Sequence, residues 1–218
     1  MKWEIIKQFS AKNKNCFSYK DVIAEYPGKD RSNLSKEYYI AYSSALHIHG
    51  LIDQPGSRMM IVTTRQMQPS IKSIAGKEIH FVCHNYSRFF GYQELWLTNQ
   101  EQAMVSDLEK TIVDAVSKPQ LCGGIIGIGK AIYHSKERTD LQKLFYYFAR
   151  NGSHAAKKRY LLLSDFLGMK WTSEHERMLN DSGSSISLLD PTGPDQGNKN
   201  SRFGLKINIE MNTLMDSL

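Results

Sequence analysis

Ala103-Met104-Val105-Ser106-Asp107-Leu108-Glu109-Lys110-Thr111-Ile112-Val113-Asp114-Ala115-Val116 reads as a strand that runs into a helix. Upstream, Leu95-Trp96-Leu97 faces Ala103-Met104-Val105 across the polar turn 98–102, the pattern of a β-hairpin. Ser106-Asp107-Leu108-Glu109 has the form of a capping box, in which Ser106 and Glu109 each satisfy a backbone donor at the helix start. Leu108, Ile112, Ala115 and Val116 then recur at i, i+4, i+7 and i+8, one face of a helix that Pro119 closes. Sheet on one side of this stretch and helix on the other make the chain α+β.

Working outward, 59–64 and 79–83 are strand candidates, the second following a turn at Ala75-Gly76-Lys77. Residues 42–49 form a short helix stopped by Gly50. Downstream, Leu141, Leu144, Phe145 and Phe148 mark a helix, and 153–167 marks another with Gly168 as its stop. Residues 190–200 are rich in Gly, Pro, Asn and Asp and read as a loop, and 204–209 as a late strand.

The first residues have a different organisation. Trp3, Ile6 and Phe9 lie at helical spacing, and Ser18 opens a second helix whose apolar face is Val22, Ile23 and Tyr26 and whose end is Pro27-Gly28. This is how a helix-turn-helix begins. A third, groove-reading segment falls on 29–36, where Arg31, Asn33 and Lys36 are the candidate DNA-facing residues, because Arg and Asn read G and A edges. Lys36 runs almost directly into Tyr38-Tyr39-Ile40, leaving no room for a β-wing. The expected organisation is a reduced winged-helix-like head at 1–37 and a body at 38–218, with a mixed β/α middle and a helical C-terminal half.

Composition permits a packed core: 218 residues, 41% hydrophobic and 23% charged. A formal charge of +6 allows a phosphate-bearing partner without requiring one. Three cysteines, Cys16, Cys83 and Cys122, with no CxxC pair, suit a reducing cytoplasm. No apolar stretch is long enough for a bilayer, so no membrane association is expected.

Several short patterns invite chemistry. Gly124-Ile125-Ile126-Gly127-Ile128-Gly129-Lys130-Ala131 has the Gly-x4-Gly-Lys spacing of a phosphate-binding loop. Ala131 stands where Ser or Thr would hold Mg²⁺, and no strand leads in, so a glycine turn into a new helix is the better reading. His80, Cys83 and His84, with His47 and His49, do not assemble four ligands, and no metal or other cofactor is expected. Glu109, Lys110 and Asp114 could suggest a nuclease. The plainer expectation is a capping Glu109 and a solvated Lys110–Asp114 pair at i, i+4. Lys157-Lys158-Arg159 is the densest basic run. It lies at a helix start, where positive charge is unfavourable, so a basic surface for phosphate contact is its functional reading.

Three segments resemble the AbiEi antitoxin family. They are Tyr38-Tyr39-Ile40-Ala41-Tyr42-Ser43-Ser44-Ala45-Leu46-His47-Ile48-His49-Gly50-Leu51; Val105-Ser106-Asp107-Leu108-Glu109-Lys110-Thr111-Ile112-Val113-Asp114 with Pro119 and Cys122-Gly123-Gly124-Ile125; and Lys157-Lys158-Arg159-Tyr160-Leu161-Leu162-Leu163. The resemblance implies the antitoxin of a type IV, abortive-infection toxin–antitoxin pair. Its partner is a nucleotidyltransferase-like toxin encoded alongside, opposed without a stable complex. It also implies a protein that is not an enzyme, whose N-terminal winged helix represses its own promoter and whose C-terminal body carries the antitoxin action. Lys157, Lys158 and Arg159 are then the expected antitoxin surface, and promoter DNA the second expected partner. The alternative is a DNA-binding transcriptional regulator without antitoxin activity.

Overall fold

Tyr38-Tyr39-Ile40 contains no charged position, and a strand of that kind needs cover on both faces. The computed structural model gives it that place. The structure describes residues 38–218 other than 55, 75, 76, 100, 152 and 217. The expected N-terminal helices, with Arg31, Asn33 and Lys36, lie outside the described residues. The fold is α+β, and the chain divides into two compact units between Asp107 and Leu108. That boundary falls within the stretch 38–218, which the sequence groups as one body.

The first unit is a six-stranded mixed sheet. Its strands are β1 (Tyr38–Ile40), β2 (Met59–Thr63), β3 (Ile71–Ile74), β4 (Lys77–Cys83), β5 (Tyr92–Trp96) and β6 (Gln102–Ser106), in the order β3-β4-β2-β1-β6-β5. β1 lies near the middle, antiparallel to β2 and parallel to β6. Period-2 alternation sends Tyr38, Ile40, Ile61, Ile79, Phe81, Ala103 and Val105 into one apolar cluster with Ala45. The expected hairpin is present, with Leu95 opposite Ala103 and Trp96 opposite Gln102.

Helix α1 (Tyr42–Ile48) ends as its glycine predicts. Gly50 takes φ 67°, Gly50 N–H donates to His47 O at 2.9 Å, and Leu51 N–H donates to Leu46 O at 2.9 Å. This pair of bonds is a Schellman closure.

The second unit is built around α2 (Leu108–Ser117), in which every residue from Glu109 to Val116 is buried. Against it pack α3 (Gly124–Ser135), α4 (Leu141–Asn151) and α5 (His154–Phe166). α6 (Ser173–Asn180) packs on α5, and α7 (Asn212–Met215) on α3. α4 is amphipathic, burying Leu144, Phe148 and Asn151. It is started by Asp140, whose Oδ1 accepts from Lys143 N–H at 3.1 Å. α5 stops at Gly168 (φ 65°) with a second Schellman closure: Gly168 N–H to Asp165 O at 3.1 Å and Met169 N–H to Ser164 O at 2.9 Å.

The late strand, β9 (Leu205–Ile207), is the middle of a small sheet. β7 (Ser187–Leu188) lies parallel to it and β8 (Asn198–Asn200) antiparallel. Gly197 sits at φ 115°, and a Cβ there meets Ile207 O at 1.9 Å. Gly197→Ala is expected to separate β8 from β9 and to cost about 2 kcal/mol or more. The check is a urea midpoint together with loss of amide-exchange protection in β8.

Two expectations about α2 are corrected. Glu109 does not cap its own helix. Its Oε1 accepts from Asp140 N–H at 3.0 Å and its Oε2 pairs with Lys143 Nζ at 2.8 Å, tying α4 to α2. The Lys110–Asp114 pair is not solvated: the side chains are 0% and 2% exposed, and Lys110 Nζ donates to Asp114 Oδ1 inside the unit. The helix is covered on all sides, so no solvated face exists for them to occupy.

Candidate functional site

The basic run of α5 is the natural starting point. Ser153 accepts from Ala156 N–H at 3.2 Å and starts the helix, so Lys157, Lys158 and Arg159 fall in its first turns. Three consecutive helical residues point in three directions, and here all three directions are interior. Lys157, Lys158 and Arg159 are 5%, 0% and 5% exposed. The basic surface expected from sequence is therefore not a surface.

Each cation has a structural acceptor. Arg159 Nε donates to Leu189 O at 2.9 Å, Nη2 to Leu188 O at 3.1 Å and Nη1 to Val116 O at 3.1 Å. One planar fork thus joins α5, the end of α2 and the small sheet. Burial lowers its pKa from the ordinary arginine value, partly offset by Asp190. Lys158 Nζ donates to Ser185 O, and desolvation lowers its pKa too. Lys157 Nζ pairs with Asp181 Oδ2 at 2.9 Å and pulls that carboxylate below its usual range.

A sequence signal for this burial did exist. Tyr160-Leu161-Leu162-Leu163 follows directly and places large apolar side chains on successive faces of the next turn, which marks that part of the helix as central.

Lys157 also lines a groove. The groove, of about 540 Å³, runs between α4 and α6 over α5, lined by Phe145, Ala149, Lys157, Arg177, Met178 and Asp181 among others. Behind it is an aromatic cluster. His175 is fully buried, with Phe145 at 4.8 Å, Trp171 at 5.3 Å and Tyr160 at 6.3 Å between ring centroids. Burial pushes the Tyr160 hydroxyl up to about 12.

Thr172 N–H donates to His175 Nδ1 at 3.2 Å, so the ring proton is on Nε2. Burial lowers the pKa of His175, and Glu174 and Glu176 offset this in part. With the folded pKa below the unfolded value of about 6.5, the unfolded chain binds the proton first as pH falls. The stability contributed by neutral His175 is complete above that value and is lost as pH drops toward the folded pKa. His175→Gln, which keeps a capping acceptor for Thr172 N–H, is expected to flatten this dependence. Urea midpoints from about pH 7.5 down to about pH 5 measure it.

The fold has a counterpart among solved structures. It is similar to that of the RV2827C protein from Mycobacterium tuberculosis, with a TM-score of 0.58 and 14% identity, over 77% of this chain and 61% of that one. At that identity the likeness is one of fold. The chain accounts for less than two thirds of the length of that protein. No protein-family model and no curated protein sequence matches the chain.

The remaining sequence patterns resolve into structure. Gly123 and Gly124 make a turn at φ 77° each, and Ile125 to Ala131 is then helical within α3, where a phosphate cradle needs non-helical backbone. Its Gly129 admits Leu214 of α7, which a Cβ would approach to 2.5 Å. His84 is buried, with Nδ1 3.2 Å from Tyr39 Oη and Nε2 2.8 Å from Tyr42 Oη. Both ring nitrogens thus face tyrosine hydroxyls inside the unit. His47 Nδ1 donates to Ile52 O at 3.2 Å and His49 Nε2 to Ser106 O at 2.7 Å. No group of three or more metal-binding side chains assembles among the described residues. Among them, no helix is long and apolar enough to cross a membrane.

Sequence reasoning missed Asp181, Phe145, Arg177 and Met178 as neighbours of Lys157. Nothing in their spacing reports that α6 folds back beside α4.

Proposed function

We propose that this chain is the cytoplasmic antitoxin of an AbiE-like, type IV toxin–antitoxin pair, opposing a nucleotidyltransferase-like toxin, and that it is not an enzyme. One observation supports the reading above others. The residues that carry the resemblance are interior: Tyr39, Ile40, Ala45 and Leu46 in the first segment, Lys110, Ile112 and Asp114 in the second, Lys158, Arg159 and Leu161 in the third. Buried polar residues answer to particular partners, such as Asp114 for Lys110 and three carbonyls for Arg159. Matches at such positions are harder to reach by composition alone than matches on a surface.

The test is growth rescue. The neighbouring nucleotidyltransferase-like gene is induced with and without this chain, and soluble chain is checked in the same cells. Rescue supports the antitoxin reading. Continued arrest with soluble, folded chain overturns it.

The second reading is a promoter-binding regulator, which rests on Arg31, Asn33 and Lys36. It expects promoter binding that weakens steeply with salt and is lost in Arg31→Ala/Asn33→Ala/Lys36→Ala. Such binding without rescue favours this second reading.

A further inference from the structure

We propose that the groove between α4 and α6 binds a small molecule carrying an oxyanion head, carboxylate or phosphate, on an aromatic or aliphatic body. The inference does not depend on the antitoxin reading. It begins with Lys157, whose side chain is 6% exposed, while that of its partner Asp181 is 78% exposed. An ammonium has three N–H donors. Among the described residues Lys157 Nζ makes one hydrogen bond, to Asp181 Oδ2. A buried cation with donors to spare and a counter-ion that water already surrounds is poised to exchange that counter-ion for a better-enclosed one.

The hold of Lys157 on Asp181 is opposed by one local effect. Asp181 is the C-cap of α6, where the helix dipole disfavours a carboxylate.

The rest of the groove suits such a ligand. Arg177 supplies a second cation in the same lining, and Phe145, Ala149 and Met178 supply apolar surface for the body. A volume of about 540 Å³ falls in the range of small-molecule sites. Glu174, on the same lining, sets a limit: it repels a second anionic group, so a ligand with one anionic head fits better than one charged at both ends.

The protein is titrated with 1-naphthoate, with 1-naphthyl phosphate and with uncharged 1-naphthol, and binding is read from the ¹³C-methyl resonance of Met178. At least one anion is expected to give a saturable shift, tighter than naphthol by tenfold or more. The stronger of the two identifies the head group as carboxylate or phosphate. Asp181→Asn is expected to tighten the anion several-fold and Lys157→Met to weaken it tenfold or more, each checked for folding by thermal melting. Asp181 is exposed, so its variant carries the test if Lys157→Met does not fold. No saturable shift with either anion, equal affinity for naphthol, or unchanged affinity in Asp181→Asn overturns the proposal.

Discussion

Lys110→Met is expected to destabilise the second unit by about 3–5 kcal/mol, and Lys110→Met/Asp114→Leu to recover most of the loss. The single substitution leaves the Asp114 carboxylate in an interior where the residue is 1% exposed and Oδ2 has no partner among the described residues. Removing one member of a buried pair strands the other, whereas removing both exchanges two desolvated charges for packing. Urea unfolding of both singles and the double gives the coupling energy. Additive single effects would show that the pair is not coupled.

Asp114 also has a neighbour that reports on it. Burial, and secondly the charge of Asp114, raise the Cys122 thiol well above its ordinary value. Cys122 is consequently an inert core residue in the native protein, and its reaction with a thiol reagent becomes a readout of opening in Lys110→Met.

Arg159→Met has the second large effect, a loss of about 4 kcal/mol or more. The methionine retains much of the volume but none of the donors, and the carbonyls of Val116, Leu188 and Leu189 lose theirs together. Arg159→Lys is expected to recover only part of the loss, because one ammonium cannot span three carbonyls as a guanidinium fork does. A full recovery by lysine would show that charge, not the fork, is what the site uses. The functional consequence is direct. Alanine substitutions across Lys157, Lys158 and Arg159 act first on folding, so a loss of growth rescue in them does not locate a contact surface. The groove variant Asp181→Asn, at an exposed position, is the better probe of function in this unit.

The local features of the chain were determined by short-range physics and could be read from it. Gly50 and Gly168 end helices because only a residue tolerant of positive φ closes a Schellman turn. The hairpin through 98–102, the amphipathic face of α4, and the glycine turn that leads into α3 needed nothing beyond neighbouring residues. Ser153 at the start of α5 belongs with them.

What sequence left open depended on which elements meet. β1 is three residues long, and only its position between β2 and β6 makes it a strand. Glu109 has the spacing of a capping residue, yet α4 brings Asp140 N–H and Lys143 to its carboxylate, and a charge-assisted bond outcompetes the local one. Lys110 and Asp114 at i, i+4 look the same in sequence on a solvated helix as on a central one. The same holds for Lys157-Lys158-Arg159, whose charge suggests a surface until the ends of β7 and α6 supply acceptors for it. A cation's identity is written in the sequence, but its cost of burial is offset only by groups that folding brings from 24 to 43 residues away.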